Sequence, residues 1–421
     1  MHKRFFLRAE NSVNEPISNP IRSILMDRMT GRYNLLDAHQ TKIVIGAIKG
    51  SYAEIQSISE ISPFRVAVNL KSLVGNVDFI DNKSTRADIL SAPISAYLEI
   101  SAKCNLNCVG CYQGHRRESK PMTTSQILGF LSSFAEFGGF TIRLTGKEPT
   151  IHVDIIEIVS ATKELGLKMA MNTNGVLTAG KVTDLVRAGL SEVVVSLDGD
   201  SFSHNTFRGA DVYEKAVATA KIFASSGVDT RFNMTISPLN MDKIAHVAEI
   251  AKECGAYVSY IPIRNIGKAV KGATLSMRDM KEIVVRVSVL RKKLGIRLLT
   301  YFDIFEDEPD YYHPMFQLTP CHARKNIFVT YDGNVFPCDH LVPLGELYCG
   351  GNILTSDLRM IWNEGDGLER YRKIAVSDDC INCSFFLIKC YGGCISESIT
   401  LLGEHSGQKI DCDKLCPRSL I

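Results

Sequence analysis

"YLEISAKCNLNCVGCY", residues 97–112, decides how this chain is read. It opens with a short strand-forming run, Tyr97 to Ser101, and passes at once into three cysteines at relative positions zero, four and seven: Cys104, Cys108 and Cys111. In a parallel α/β sheet chemistry collects on loops at the carboxyl ends of the strands, and a thiol loop directly after a strand would lie just there.

Outward from that stretch the same alternation repeats. Strand-like runs lie at 97–101, 141–146, 168–175, 191–199, 230–237 and 257–263, and between them "TSQILGFLSSFAEFG" and "VDIIEIVSATKELG" carry apolar residues at helical spacing and end in glycine. Six βα units are too few for a closed eight-stranded barrel, so the pattern predicts an open, partial (β/α)6 TIM-like barrel over residues 96–310. Residues 1–95 form a smaller N-terminal unit without cysteine, in which "RYNLLDAHQTKIVIGAIKGSYAEI" predicts a short strand, a helix and a turn. Residues 311–421 are rich in Cys and Gly, with too few periodic apolar residues for an ordinary core, so something besides hydrophobic burial must hold them.

Composition narrows the function classes. A formal net charge of +2 with no long basic tract excludes an electrostatic footprint for nucleic acid or an anionic membrane surface. No apolar run approaches the roughly 18 residues of a membrane span, and "MHKRFFLRAE" is too polar for a signal peptide, so a cytoplasmic location is expected. In that reducing setting the 13 cysteines are read as metal ligands or catalytic thiols rather than disulfides. Three sit in the opening stretch, nine fall between Cys321 and Cys416, and Cys254, in "KECGAY", is read as a small buried hydrophobe near a helix end.

Three thiols at zero, four and seven can hold three corners of an iron–sulfur cube; half of a four-ligand zinc site is the alternative. The run Cys104, Cys108, Cys111 and Tyr112 resembles the signature of the radical S-adenosylmethionine (SAM) enzymes. That resemblance implies a [4Fe-4S] cluster whose fourth iron chelates SAM, and reductive cleavage to a 5′-deoxyadenosyl radical that abstracts hydrogen from carbon. It extends over the middle domain. "TGKEPT" is similar to the family's Gly-Gly-Glu-Pro segment, which places Gly146, Glu148 and Pro149 at the SAM amino group, with Lys147 in place of the second glycine. By the same resemblance Ser196 and Asp198 of "VVVSLDG" approach the ribose, Arg208 of "HNTFRG" pairs with the SAM carboxylate, and Asn172 and Asn174 of "MNTNG" face the same cavity.

The later cysteines run Cys321, eleven residues, Gly333, four residues, Cys338, then Cys380-x2-Cys383-x6-Cys390-x3-Cys394, and Cys412. This resembles the SPASM extension, with six residues rather than five between Cys383 and Cys390. The resemblance implies two auxiliary [4Fe-4S] clusters, one on Cys380, Cys383, Cys390 and Cys412, the other on Cys321, Cys338 and Cys394. For the second, Cys349 or Cys416 is available as fourth ligand, or the site stays open for a substrate thiolate. Asp339, directly after Cys338, stands where sulfatase-maturing relatives place a base.

Enzymes of this double architecture mostly modify peptides. The resemblance therefore implies a maturase that crosslinks a ribosomally made precursor peptide, through a thioether or a carbon–carbon bond, supplied by a low-potential electron donor such as flavodoxin or ferredoxin. The N-terminal unit resembles small leader-binding domains that take an extended peptide on a sheet edge. A radical SAM dehydrogenase, a sulfatase-maturase-like oxidase and a tetrapyrrole-modifying enzyme are the alternatives.

Overall fold

The computed structural model describes residues 5–13, 21–27, 32–36, 40–42, 44–45, 77–80, 89–111, 113, 119–176, 179–263, 274–300, 322–374, 382, 394–396 and 399. Tyr112, Cys321, Cys380, Cys383, Cys390, Cys412 and Cys416 lie outside them.

The first four strands, β1 (Phe5–Val13), β2 (Ile21–Asp27), β3 (Arg32–Leu36) and β4 (Val77–Ile80), form a sheet in the order β3-β2-β1-β4. It docks on the next domain through a buried polar clamp. The fully buried Arg8 pairs with Glu10 at 2.6 Å and donates to the carbonyls of Ala92 at 3.0 Å and Gly138 at 2.6 Å, while Glu10 accepts from the Ser91 backbone at 2.7 Å. Burying that charge is tolerable because every partner is in place. Ile24 and Met26 of β2 also join the main hydrophobic core.

The barrel follows as β5 (Ser95–Glu99), α1 (Thr124–Glu136), β6 (Thr141–Thr145), α2 (Ile155–Glu164), β7 (Lys168–Thr173), α3 (Ala179–Ala188), β8 (Glu192–Ser196), α4 (Ser201–Arg208), α5 (Tyr213–Ser225), β9 (Asp229–Ile236), α6 (Ile244–Cys254), β10 (Tyr257–Pro262), α7 (Met277–Leu294) and β11 (Leu298–Thr300). Strands β5 to β11 are parallel, each paired with its successor. Local chemistry sets the boundaries: Thr123 and Gln126 make a reciprocal capping box at the start of α1, and Gly255 in the left-handed conformation ends α6. Along β9 burial alternates, with Thr230, Phe232, Met234 and Ile236 buried and the residues between them less so. Cys254 is buried at the end of α6, as its sequence context predicts.

The six predicted strands are all present, and the sheet goes further. Strand β11 adds a seventh parallel member at one edge, and β12 (Asn326–Val329) pairs parallel with β5 at the other, continuing into β13 (Asn334–Phe336) and β14 (Gly351–Asn352). Among the described residues the sheet ends in two different strands, β11 and β14, and does not close. The C-terminal region is better packed than its composition predicts: Trp362 and Leu368, on α8 (Leu358–Glu364) and α9 (Asp366–Arg372), join the main core, and Phe328, Phe336, Leu341, Tyr348 and Tyr371 build a second, smaller one. No described helix is long and apolar enough to cross a membrane.

Candidate active site

The cysteine loop follows β5, and at its start the Ser101 hydroxyl accepts from the Lys103 backbone at 3.1 Å. It is then tied to its neighbours by bonds at successive points. Glu148 donates its backbone N–H to the Lys103 carbonyl at 3.2 Å, the Asn174 amide donates to Asn105 Oδ1 at 2.7 Å, and Val109 donates to the Phe207 carbonyl at 3.0 Å. The loop is thereby spread across the carboxyl ends of β5, β6 and β7 and the end of α4. At Gly110 an added Cβ would lie 2.9 Å from the Phe207 ring, so a larger residue there would have to displace that side chain.

Cys104 is exposed and Cys108 and Cys111 are half-buried, and all three are free thiols. Two side-chain donors point at sulfur: Asn174 Nδ2 lies 3.9 Å from Cys104 Sγ, and the Arg208 guanidinium lies 3.9 Å from Cys108 Sγ. Burial pushes the Cys104 thiol up, and it does the same to Cys108 against the opposing pull of Arg208. Three soft donors on an accessible loop, with N–H groups aimed at two of them, fit a cluster held by thiolates, since hydrogen bonds to cluster sulfur are the usual second layer of such sites.

Behind the thiols stand two buried carboxylates whose oxygens are engaged by the chain itself. Glu148, 1% exposed, accepts from the Thr150 hydroxyl at 2.6 Å and the Thr173 hydroxyl at 2.8 Å on Oε1, and from the Asn174 backbone at 2.8 Å on Oε2. It locks the end of β6 to the end of β7 and so aims Asn174 at the cysteine loop; burial pushes its carboxyl up despite these bonds. Asp198, fully buried after β8, accepts from Arg208 Nε at 2.8 Å and from the Thr235 backbone at 3.0 Å. Its own backbone N–H donates to His204 Nδ1 at 3.1 Å, and burial pulls the His204 pKa down to about 4. Asn240 completes the corner, donating to the carbonyls of Asp198 at 3.0 Å and Thr235 at 2.9 Å.

The other predicted positions fall around this core. Gly146 adopts φ +111°, and a Cβ there would meet Glu99 Cβ at 3.1 Å, so the positive φ of the "TGKEP" turn is carried by a glycine. Ser196 is half-exposed at the end of β8. Asn172 is half-buried, accepting from Arg143 at 3.3 Å. Arg143 pairs with Glu192 at 2.6 Å, and Lys168 and Arg231 approach the same carboxylate at 3.3 and 3.8 Å. Burial pushes Glu192 up, but the three cations outweigh it and hold the carboxyl well below its ordinary range.

A second group lies beyond β13. Cys338, Asp339 and His340 offer ligand atoms within 4.8 Å of one another, Cys394 Sγ lies 4.0 Å from His340 Nδ1, and Cys338 Sγ lies 3.0 Å from the Ser396 hydroxyl. Two thiols and an imidazole from segments more than fifty residues apart fit an iron–sulfur or other soft-metal centre. Cys349 is half-buried and donates to the Gly351 carbonyl at 3.4 Å. The sequence reading missed His204, Thr173, Asn240 and His340. Only His340, two residues from a cysteine, carried a local signal.

Comparisons with known proteins find matches over both cysteine-bearing regions. The model of the family described as "Radical SAM superfamily" matches residues 98–251, and that of "SPASM: Iron-sulfur cluster-binding domain" matches residues 321–384. The AdoMet-dependent heme synthase of Methanosarcina barkeri is 27% identical over 348 residues, covering 76% of this chain and 97% of that protein. The PqqA peptide cyclase of Bradyrhizobium diazoefficiens is 24% identical over 348 residues, 79% and 89% respectively. Among solved structures, Streptococcus suis SuiB bound to its precursor peptide SuiA superposes with a TM-score of 0.71 at 17% identity, covering 94% of this chain and 96% of that one.

Proposed function

We propose, for a chain that belongs to the radical SAM superfamily and carries a SPASM iron–sulfur domain, an enzyme that abstracts hydrogen from a ribosomally made precursor peptide and leaves a thioether or carbon–carbon crosslink. The observation that carries the peptide reading is the extent of the likeness to SuiB. SuiB, solved with a precursor peptide, superposes over 94% of this chain, and the PqqA peptide cyclases match 78–79% of it in sequence. The N-terminal sheet offers a matching surface, since among the described residues β3 pairs with β2 alone and ends the sheet. An extended peptide adds to such an edge through backbone hydrogen bonds.

The cluster and SAM, when bound, supply the one-electron cleavage and the radical that takes hydrogen from the substrate. In this reading Cys104, Cys108 and Cys111 hold the cluster, and Asn174 and Arg208 donate toward their sulfurs. Glu148 and Asp198 act as positioning residues, one fixing Asn174 and the other fixing Arg208. Gly146 supplies close backbone approach at the β6 turn, and Asn172 and Ser196 line the mouth of the sheet. Asp339 is the candidate base for a substrate proton. A flavodoxin or ferredoxin delivers the electron. The heme synthase relatives favour one second reading, a tetrapyrrole substrate at the same site.

Peptide binding at the β3 edge is tested by Asn34→Pro and Leu35→Pro. In an antiparallel pair alternate N–H groups point away from the partner strand, so one of the two substitutions removes an outward donor while sparing the β2 ladder. That variant should lose at least tenfold in affinity for a fluorescent precursor peptide, measured by anisotropy, with SAM cleavage unchanged. Undiminished affinity in both variants contradicts binding at this edge.

A further inference from the structure

We propose that the concave face of the barrel carries a subsite for a substrate carboxylate, centred on Arg231; building on the peptide reading above, that carboxylate is the side chain of an Asp or Glu in the precursor.

Strand alternation separates the two faces of the sheet. Leu98, Leu144, Met169, Val193, Phe232 and Val258 belong to the main hydrophobic core. Each is directly preceded by a residue of the opposite face: Tyr97, Arg143, Lys168, Glu192, Arg231 and Tyr257. Branched apolar side chains fill the interior of an ordinary barrel, whereas here the inner surface is cationic and aromatic.

Three cations meet one carboxylate in this group, and two of them satisfy it. Arg143 pairs with Glu192 Oε1 at 2.6 Å and also donates to Asn172, while Lys168 reaches Oε2 at 3.3 Å. Arg231 comes third, 3.8 Å from Oε1, beyond hydrogen-bond reach. Among the described residues its guanidinium makes no hydrogen bond, although the side chain is only 11% exposed and Nε is buried. The other carboxylates of this face do not pair with it. Glu99 sits under the Gly146 turn and accepts from the Tyr331 backbone at 3.4 Å, and Asp229 is exposed at the start of β9. A nearly buried guanidinium with unused donors is costly by itself, and its planar fork matches an incoming carboxylate through two hydrogen bonds.

The position suits a substrate group. Arg231 lies two positions before Asn233, the strand partner of Ser196 at the mouth, which is one step of about 7 Å along the same face. A carboxylate held at Arg231 therefore leaves the rest of its residue at the level of the mouth. The candidate base bears on the same space: burial pushes the Tyr97 phenol up, Arg143 and Arg231 oppose this, and Asp339 adds to it.

The test uses the full chain, reconstituted anaerobically, and three probes: N-acetyl-glutamate N-methylamide, its glutamine counterpart, and coproporphyrin, a tetrapyrrole bearing propionates. Binding of the first two is followed by saturation-transfer NMR and of the third by absorbance. The glutamate probe should bind at least about tenfold more tightly than the glutamine probe. Arg231→Gln should erase that preference without changing the affinity for the glutamine probe, which a general disturbance of the cavity would alter. Arg231→Lys keeps a charge beside Glu192 and should keep a preference for glutamate. A preference that survives Arg231→Gln overturns the subsite, and so does the absence of any Arg231-dependent binding among the three probes; neither outcome touches the peptide reading. Arg231-dependent binding of coproporphyrin with no preference for glutamate keeps the carboxylate subsite and overturns the peptide reading instead.

Discussion

The two cysteine-bearing regions of this molecule are supported in opposite ways. The loop Cys104–Cys111 lies across the ends of strands whose interiors, from Leu98 through Leu144, Met171 and Val195, are completely buried. Its shape is fixed by backbone and side-chain bonds to Glu148, Asn174 and Phe207. Beyond β13, Cys338 packs against a small core around Phe328, Phe336 and Tyr371. The first loop rests on the larger core and the second on the smaller one, so metal coordination is expected to contribute more to holding the second region than the first.

The largest expected effect breaks function without breaking the fold. Replacing Cys104, Cys108 and Cys111 by Ala should abolish SAM cleavage and remove about four irons. The thermal midpoint of the metal-free protein should move little, because none of the three is buried. Removing iron by chelation should instead open the C-terminal region to proteolysis while the barrel strands stay protected from hydrogen exchange; equal loss of protection in both would erase the contrast between them.

Next in size is the corner that aims Arg208. Arg208→Met leaves Asp198 buried without its cation and should destabilise the chain by about 3–5 kcal/mol in denaturant unfolding. Adding Asp198→Asn should recover part of that loss, which a purely local packing defect would not allow.

Acid should act on the same corner. His204 is held neutral in the fold with its pKa near 4, against an ordinary value of 6.5. Between those values the unfolded chain binds a proton that the native chain does not. Stability is therefore full above about pH 6.5 and falls with pH toward 4, by roughly 3 kcal/mol in all. Unfolding midpoints across this window should show the slope, and His204→Gln should flatten it.

The smallest effect concerns Lys147. With the positive φ carried by Gly146, Lys147→Gly should change stability by no more than about 1 kcal/mol, while Gly146→Ala costs clearly more and lowers SAM binding.

These contrasts also show what the sequence could reveal. Strands β5 to β10 and the cysteine loop were legible because periodicity, glycine stops and thiol spacing are local signals. Strand β11 is three residues long, and β12 lies inside a Cys-rich tract, so both escaped a reading based on pattern length. The membership of Trp362 in the barrel core was hidden for another reason: its indole donates to the Leu90 carbonyl at 2.8 Å, across most of the chain. Glu148 and Asp198 were read from the sequence as candidate site residues. That their oxygens are taken up by Thr173, Asn174, Arg208 and Thr235 depends on contacts between strands, which no local motif encodes.

The most direct test of the proposed function is the mass of a candidate precursor peptide, sought among short reading frames neighbouring the gene, after anaerobic incubation with the reconstituted full chain, SAM and a low-potential reductant. The account predicts a product lighter by two hydrogens, with the change localised by fragmentation to one residue pair and 5′-deoxyadenosine formed alongside. A peptide that emerges unchanged while a tetrapyrrole is consumed under the same conditions would contradict it.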